Sequence, residues 1–577
     1  ATYFNMLDGW RDSGILEWEE YSFLKNTYPR TPCLYILPKI HKHPTNPPGR
    51  PIVSSIGSLL ENTSRYVDHF LAPHVLTLTS YCRDSKDFLT KIQDIPWEPS
   101  YLLITLDVAS LYTCIQHILG IQACSHFLKK RSVKFMEHNE MLIEMIQFCL
   151  KENIFLFEGE YYRQLTGTAM GTCFAPSYAG LFMGWWEEQV AWSSEFDHYT
   201  SRIILWTRYI DDLFLVWDGS EEIALRYIEA LNKNMYNLHL THTISSEQID
   251  FLDVRVKVVG DYLETSLFRK STAGNSVLHF TSHHPRNLVG SIPFGELIRA
   301  KRACSDDVTF LQSAGETLSR FRQKKYLNTV LNAAWQKSRN LSRDDLLSHQ
   351  RTNLDVASNP VWMITTYNCK SDNIRRILKK HWKIVQQDPV IGPGLSDHPH
   401  ITYKKSHSLG DILTHSYTPP RPQISKSITQ GFFKCGNCKA CVNGVERKAF
   451  KLPSGQTRKI SCFMNCNTDF CVYVLECPCG LGYVGSTIFP LKKRIFEHLR
   501  AIKNVDVTYP VARHFELVHD RDFRQLSFFG IDRVPIDMRG GNRILNLRRL
   551  ESKYIIGLQT KHPAGFNKDE ELQSHVG

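Results

Sequence analysis

Arg208-Tyr209-Ile210-Asp211-Asp212-Leu213-Phe214-Leu215-Val216-Trp217 sets two adjacent carboxylates between apolar runs, as a hairpin does when its turn carries the acids. A buried carboxylate is costly unless it is paired or bound to a cation. Two side by side in so apolar a frame call for a compensating metal. Upstream, Leu103-Ile-Thr-Leu-Asp107-Val-Ala-Ser-Leu-Tyr112 reads as an apolar strand delivering a third, single Asp. Oxygen ligands suit Mg²⁺, which keeps room for substrate phosphates, so Asp107, Asp211 and Asp212 together suit two-metal phosphoryl transfer. Between them, Gln164-Leu-Thr-Gly167-Thr-Ala-Met170-Gly171-Thr-Cys-Phe-Ala175-Pro176-Ser-Tyr-Ala179 offers small residues that let a backbone approach a base pair closely, with a helix to follow.

The surrounding chain has 577 residues, enough for about four domains. Its 42% hydrophobic and 22% charged residues match ordinary globular proteins and exclude a wholly disordered chain, a collagen-like fibre or a short disulfide scaffold. No run of about 18 apolar residues occurs, so no membrane-spanning helix is expected. A net charge of +11, from 69 Lys and Arg against 58 Asp and Glu, permits a nucleic-acid partner without naming one. The start at Ala1, with no initiator Met and no charged-then-apolar leader, reads as a beginning inside a longer protein.

From Tyr101 to Phe268 short β-branched runs alternate with longer helical stretches, an α+β pattern. The runs are Leu102–Leu106, Ile203–Leu205 and Phe251–Val256. Beyond about residue 290 strand signals fade, and basic amphipathic helices are expected. In Ser371–Ile384, for example, Ile374, Ile377, Leu378, His381 and Trp382 recur at helical spacing, with Arg375, Arg376, Lys379 and Lys380 on the other faces. Residues 385–430, including Tyr417-Thr-Pro-Pro-Arg-Pro422, read as a linker.

Of 16 Cys, eight lie between Cys435 and Cys479, a crowding that reads as metal ligation in a reducing compartment. Cys435, Cys438 and Cys441, with one distant thiolate, close a tetrahedral Zn²⁺ site; an Fe–S cluster could use the same ligands, and Cys462 rivals Cys466 as the fourth. Cys477 and Cys479, with His514 and His519 separated by four intervening residues, read as a second zinc site, although Cys-x-Cys is tighter than usual. Interleaved with these are Val472-Tyr473-Val474, Gly482-Tyr483-Val484-Gly485, Lys493-Arg494 with Glu497-His498, Arg549-Leu-Glu551 and Pro563-Ala-Gly-Phe-Asn567. They place two tyrosines on strands, an arginine and a histidine on a helix, and a glutamate far downstream.

The segments around Asp107, Gly167–Gly171 and Tyr209–Asp212 resemble motifs A, B and C of a reverse transcriptase. Leu37-Pro-Lys-Ile-His-Lys42, Gly49-Arg-Pro-Ile-Val53, Leu111-Tyr-Thr113, Asp250-Phe-Leu-Asp-Val254, Ser282-His-His-Pro285, Ile292-Pro293 and Arg302-Ala-Cys-Ser305 narrow the likeness. Roughly residues 30–310 resemble the Penelope-like retroelements, whose polymerase is similar to telomerase. The later tyrosines, Arg494, His498 and Glu551 resemble a GIY-YIG endonuclease, departing from its pattern as Val-Tyr-Val and Tyr-Val-Gly. The resemblance implies a multidomain α+β protein. Residues 1–100 would be an N-terminal part and fingers, 101–270 a palm and 271–400 a helical thumb. A linker at 401–430, a zinc module at 431–471 and a GIY-YIG nuclease with an internal zinc site at 472–577 would follow.

It also implies residue roles. Asp107, Asp211 and Asp212 would bind two Mg²⁺. Tyr112 would sit beneath the incoming sugar and exclude a 2′-hydroxyl, Lys39 and Arg50 would meet the triphosphate, Met170 and Gly171 would border the nascent pair, and Tyr209 would brace the primer end. A basic thumb face (Arg299, Lys301, Arg302, Arg320, Arg322, Lys324, Lys325) would grip heteroduplex phosphates in a salt-dependent way. In the nuclease, Glu551 would hold one Mg²⁺ and Arg494 would neutralise developing charge. Tyr473, helped by Tyr483 or His498, would orient or deprotonate water, and Asn567 would be structural. The family favours Cys466 as the fourth ligand of the first zinc. The implied partners are element RNA, target DNA, RNA–DNA heteroduplex and dNTPs, with no membrane, and the implied location is the nucleus. The implied function is RNA-directed DNA synthesis coupled to DNA nicking in target-primed reverse transcription. A domesticated nucleic-acid-binding protein or a telomerase-like end extender is the alternative.

Overall fold

The computed structural model describes the chain except residues 1, 41–42, 44, 131–134, 271–273, 349–361, 369, 407, 414–429, 437 and 569–577. The end of the 37–42 motif and the proline-rich stretch 417–422 therefore lie outside the described residues.

Strands β1 (Cys33–Pro38) and β2 (Gly49–Ser54) form a hairpin. Next come β3 (Tyr101–Val108), then β4 (Ile154–Phe157) and β5 (Glu160–Arg163), which widen that hairpin into a sheet of order β2-β1-β4-β5. Strands β6 (Ile203–Tyr209), β7 (Asp212–Asp218) and β8 (Leu240–Ser245) join β3 in a second, antiparallel sheet of order β6-β7-β3-β8. The unbroken apolar run of β7 has a simple cause. Leu213, Leu215 and Trp217 enter a large helical core shared with Phe182 and Trp186, while the alternate Phe214 and Val216 enter a second core with Phe88 and Phe251. Burial on both faces removes the polar half of the usual period-two pattern. Each such side chain contributes about 1.5–3 kcal/mol. The first core also takes Tyr3, Leu7, Tyr21 and Leu24 from the two opening helices, so the N-terminal segment is packed onto this sheet.

Strands β9 (Gln248–Phe251), β10 (Val254–Val259) and β11 (Tyr262–Leu267) form a sheet of order β11-β10-β9. This corrects the sequence reading of Phe251–Val256 as one strand. The chain reverses at Leu252-Asp253, with Leu252 at φ +53° and Phe251 paired to Val254. Ile249, Phe251, Val254 and Val256 all feed the same core, so the apolar alternation runs unbroken through the turn. The helices Arg286–Ala303, Asp307–Gln323 and Asn328–Arg339 then pack around Leu297, Ala300, Phe310, Ala314 and Ala334. A parallel pair, β12 (Trp362–Thr366) with β13 (His400–Lys404), flanks the helix Ser371–Gln386; the sequence did not announce these strands, and β13 occupies the start of the expected linker. Trp362, Met363 and Ile364 are exposed, so they carry no alternation between a buried and a solvated face.

In the C-terminal part, β14 (Gly431–Phe433), β15 (Ala449–Lys451), β16 (Thr457–Lys459) and β17 (Phe463–Asn465) are short; β14 pairs with β17, and β15 with β16. Strands β18 (Cys471–Glu476), β19 (Gly482–Thr487) and β20 (Ser527–Arg533) form an antiparallel sheet of order β19-β18-β20. One core joins Phe432, Phe450, Met464 and Cys466 to Tyr473, Val484, Ile495 and Phe528. The Cys-rich segment and the three-stranded sheet are thus packed as one unit across position 471. Thr31 N donates to Arg539 O at 2.6 Å, and Tyr161 Oη donates to Met538 O at 2.7 Å, touching this unit to the first sheet. Among the described residues no helix is long and apolar enough to cross a membrane.

Candidate active sites and metal centres

Asp107, near the end of β3, faces Asp212 at the start of β7, and Tyr209 faces Asp212 from β6. Ile210 and Asp211 make the two-residue turn between β6 and β7. Ile210 has φ +56°, a region where a β-branched residue is a true outlier and where such a hairpin ordinarily places glycine. Val108 N donates to Asp211 O at 3.1 Å, tying the turn to β3. Burial raises the pKa of both turn carboxylates, and neighbouring carboxylates add to it: Asp107 for Asp211, and Asp211 with Asp107 for Asp212, which is pushed up to about 6. Arg50 and Lys39 act in the opposite sense on Asp211, as Lys270 does on Asp212. Lys39 and Arg50 therefore lie within electrostatic reach of Asp211. Tyr112 is close as well: burial, then Asp211 and Tyr209, raise its hydroxyl to about 12. A cleft of about 200 Å³ is lined by Asp107, Asp212, Thr241, His242, Phe268 and Lys270. An all-oxygen donor set whose mutual repulsion Lys39, Arg50 and Lys270 offset only in part suits a hard cation such as Mg²⁺; its three carboxylates are not gathered within 4.8 Å of one another. His242 and Lys270 were not found from the sequence, because no local motif marks them and only the fold brings them to Asp212.

The glycines between the acidic motifs make close backbone contacts within the protein. Gly167, at φ +72°, packs against the Tyr112 carbonyl and Thr113, and a Cβ there would collide with that backbone. Thr168 N donates to Tyr112 O at 2.7 Å, and His117 Nε2 lies 2.8 Å from Gly167 O. Gly171, at φ +128°, packs against the carbonyl of Val53 in β2. Val53 N donates to Met170 O at 3.0 Å, and Ser55 Oγ to Gly171 O at 2.8 Å. The segment thus knits the Tyr112 turn to the β1–β2 hairpin. Met170 borders a cavity of about 290 Å³ between them.

Two groups bring four ligand atoms within 4.8 Å of one another: Cys435, Cys438, Cys441 and Cys466, and Cys477, Cys479, His514 and His519. No other set of three or more His, Cys, Asp or Glu gathers so tightly among the described residues. Cys441 Sγ lies 3.6 Å from Cys435 Sγ, 3.5 Å from Cys438 Sγ and 3.6 Å from Cys466 Sγ. Four thiolates about 2.3 Å from one tetrahedral ion stand at that spacing. The rival Cys462 is outside the group and lies near Asp532 and Arg533. In the second group Cys477 Sγ is 3.4 Å from His514 Nε2 and 2.9 Å from His519 Nε2. His514 rides the helix Pro510–Val518 and His519 caps its end.

Beside that group, Tyr473 Oη on β18 is 2.8 Å from His498 Nε2, and Arg494 Nε donates to the same oxygen at 3.3 Å. Both His498 and Arg494 come from the helix Leu491–Asn504. Burial, and then Arg494, lower the His498 pKa to about 3, so the imidazole is neutral. Burial raises the Tyr473 pKa, against the pull of Arg494. Tyr483 stacks its ring edge-on at 5.6 Å from that of His498. Gly485 keeps the centre open, since a Cβ there would lie 2.5 Å from Tyr473 Oη. Glu551, on the helix Arg543–Leu558, accepts from Ser486 Oγ at 2.9 Å. Asn567 pairs both ways with the Val484 backbone, at 3.0 and 2.7 Å, a structural task.

No family model and no curated protein matches the chain. Among solved structures, telomerase from Candida albicans, in complex with a fragment of telomeric RNA, aligns at 13% identity and TM-score 0.39, covering 56% of each chain. Apo telomerase from Candida tropicalis aligns at 11% and 0.34, covering 54% of this chain and 58% of that one. The RNA-dependent RNA polymerase of a human picobirnavirus aligns at 12% and 0.34, covering 56% and 61%. The chain thus spans a little over half of the length of each. What it does is carried by side-chain geometry instead.

Proposed function

We propose that the chain is an RNA-directed DNA polymerase joined to a DNA-nicking nuclease of the GIY-YIG type, acting in target-primed reverse transcription of a Penelope-like element. One observation carries the polymerase reading: Asp107 on β3 faces Asp212 on β7, Asp211 stands in the turn before β7, and Lys39 and Arg50 of the β1–β2 hairpin lie within its electrostatic reach. Asp107, Asp211 and Asp212 would hold Mg²⁺, which when bound supplies positive charge to the phosphates and lowers the barrier to attack by a primer 3′-hydroxyl. Lys39 and Arg50 clamp triphosphate oxygens. Tyr112 closes the sugar side, and Tyr209, opposite Asp212, braces the primer end.

In the nuclease, Glu551 would hold one Mg²⁺. Neutral His498 Nε2 accepts a hydrogen bond from the Tyr473 hydroxyl, and the Tyr473 oxygen in turn orients the attacking water. Arg494 stabilises charge developing on the phosphate. His498 is the acceptor in this hydrogen bond because burial keeps it unprotonated at neutral pH. The two Cys/His groups are structural zinc sites.

The test is primer extension on RNA and DNA templates with Mg²⁺, run beside nicking of supercoiled plasmid. Asp211→Ala with Asp212→Ala removes synthesis and spares nicking; Glu551→Ala does the reverse. An intact, zinc-loaded chain that binds template and primer without adding nucleotides overturns the polymerase reading in favour of a binding protein.

A further inference from the structure

Arg208 stands two residues before the strained Ile210 and is buried to 3% exposure, as is its partner Glu187 to 4%. Glu187 opens a π-helical turn, Glu187–Ala191, at the end of the helix Ala175–Trp186, and such turns often mark functional positions. Its carboxylate accepts from Arg208 Nε at 2.8 Å, Trp206 Nε1 at 3.0 Å and Ser80 Oγ at 2.5 Å. The Arg208 guanidinium has bonds left over. Nη1 donates to Ile210 O at 3.1 Å, and Nη2 to Gly180 O at 3.2 Å. Its main chain is held as well: Arg208 N donates to Ser80 O at 2.6 Å, and Cys82 N to Arg208 O at 2.8 Å.

A buried ion pair is poor evidence of stabilisation, because desolvating two charges offsets most of their attraction and apolar residues of similar volume do as well. A purely structural pair also has no need of the Ile210 carbonyl. That carbonyl belongs to the peptide leading into Asp211, at a residue whose φ of +56° costs about 1–3 kcal/mol. Strain of this size persists only where the surroundings over-determine it. Here the planar fork of Arg208 spans Glu187, the Ile210 carbonyl and the Gly180 carbonyl together, linking the acidic turn to the helix that follows the glycine segment.

We infer that Arg208, oriented by Glu187, is a positioning residue that holds the Ile210–Asp211 turn in its strained form and so sets the aim of Asp211 and Asp212. This rests on the polymerase reading above. Lysine keeps the charge but cannot reach three acceptors at once. Arg208→Lys therefore lowers kcat for nucleotide addition by roughly 10²-fold, the scale of a misplaced reacting group. KM for dNTP, primer-template affinity and nicking by the same chain stay near wild type.

The deciding arm is Ile210→Gly. Glycine takes a positive φ without strain, so the turn no longer needs the clamp. In the Ile210→Gly background Arg208→Lys costs much less than it does alone. Additive losses, or a Arg208→Lys chain whose synthesis, nicking and melting temperature fall together, overturn the inference in favour of a fold-stabilising pair. A second readout is independent of synthesis: Mn²⁺ binding to the full, zinc-loaded chain by electron paramagnetic resonance, counting only sites that Asp212→Asn removes. Arg208→Lys weakens those sites and Ile210→Gly restores them; unchanged Mn²⁺ affinity overturns the inference. If the wild-type chain makes no DNA, the polymerase reading falls, and the Mn²⁺ series still decides whether Arg208 aims the carboxylates.

Discussion

At the Asp211–Asp212 turn two half-buried carboxylates, faced by the exposed Asp107, repel one another on a backbone held at a costly φ. Around Tyr473 the opposite holds. A neutral imidazole and a phenol, both buried, share hydrogen bonds with a half-buried guanidinium, and Glu551 is already met by Ser486. The first centre keeps a carboxylate repulsion that Lys39, Arg50 and Lys270 offset only in part, and added positive charge relieves it further. The second is closed by its own side chains. The two sites should therefore fail differently: the acidic turn can lose its chemistry while the fold stands, whereas damage near Tyr473 reaches the core and the metal ligands beside it.

Zinc removal gives the largest expected contrast. Structural zinc contributes roughly 10–16 kcal/mol to small domains built around it, and Cys441 and Cys466 belong to the same core as Tyr473. Chelation, or Cys441→Ser, abolishes the melting transition of the 431–568 unit in scanning calorimetry and leaves that of the N-terminal unit in place. If both transitions collapse together, the two halves are not independent and the contrast breaks.

Next comes loss of charge at each centre. Asp212→Asn lowers DNA synthesis by on the order of 10³-fold, as expected when a group that organises transition-state charge is lost. It also removes one repelling carboxylate, so in metal-free buffer the melting temperature of the N-terminal unit rises. Glu551→Gln lowers nicking comparably but gives no such rise, because Glu551 already has a hydroxyl donor. Measuring both temperatures with both activities sharpens the contrast; a stabilised Glu551→Gln chain would erase it.

The sequence made some of this legible and hid the rest for physical reasons. Asp107, Asp211 and Asp212 were readable because two-sided burial made β7 continuously apolar and β3 apolar but for Thr105, so the acids stood out. The metal ligands were readable because thiolates at short spacings have few other uses. Lys270 and the Arg208–Glu187 pair were not, since each depends on partners distant in the chain. The turn at Leu252-Asp253 was missed because apolar alternation passes through it unchanged. The glycines at 167 and 171 stood out in the sequence, but the Tyr112 and Val53 backbones for which they clear space lie too far along the chain to be read from it.

Those glycines supply the third test. Gly171→Ala places a Cβ against the Val53 carbonyl at φ +128°, which costs about 1–3 kcal/mol and lowers only the N-terminal melting transition. Gly485→Ala puts a Cβ 2.5 Å from Tyr473 Oη, an overpacking worth about 1–3 kcal/mol, and lowers both the C-terminal transition and nicking. A Gly485→Ala chain that melts normally while losing nicking would mean that the Tyr473 centre is as separable from its fold as the acidic turn.

The smallest effect is the most diagnostic, because it reads the closed centre through a single proton. His498 binds a proton more weakly in the folded chain, where its pKa is about 3, than unfolded, where it is about 6.5. Its contribution to stability is therefore complete above about pH 6.5 and is lost progressively as pH falls toward 3. The physical cause is burial, reinforced by Arg494; protonation would also turn Nε2 from an acceptor of the Tyr473 hydroxyl into a donor facing a guanidinium. The limiting slope is about 1.4 kcal/mol per pH unit, so near pH 5.5 the loss is on the order of 1 kcal/mol. His498→Gln does not titrate, and zinc release through His514 and His519 is common to both chains. The stability of the zinc-loaded wild type should thus fall more steeply than that of His498→Gln between pH 6.5 and 4.5, in calorimetry of the C-terminal transition. Parallel curves would mean that His498 takes up its proton in the folded chain, that the centre around Tyr473 is open to charge, and that the proposed acceptor role of Nε2 is wrong.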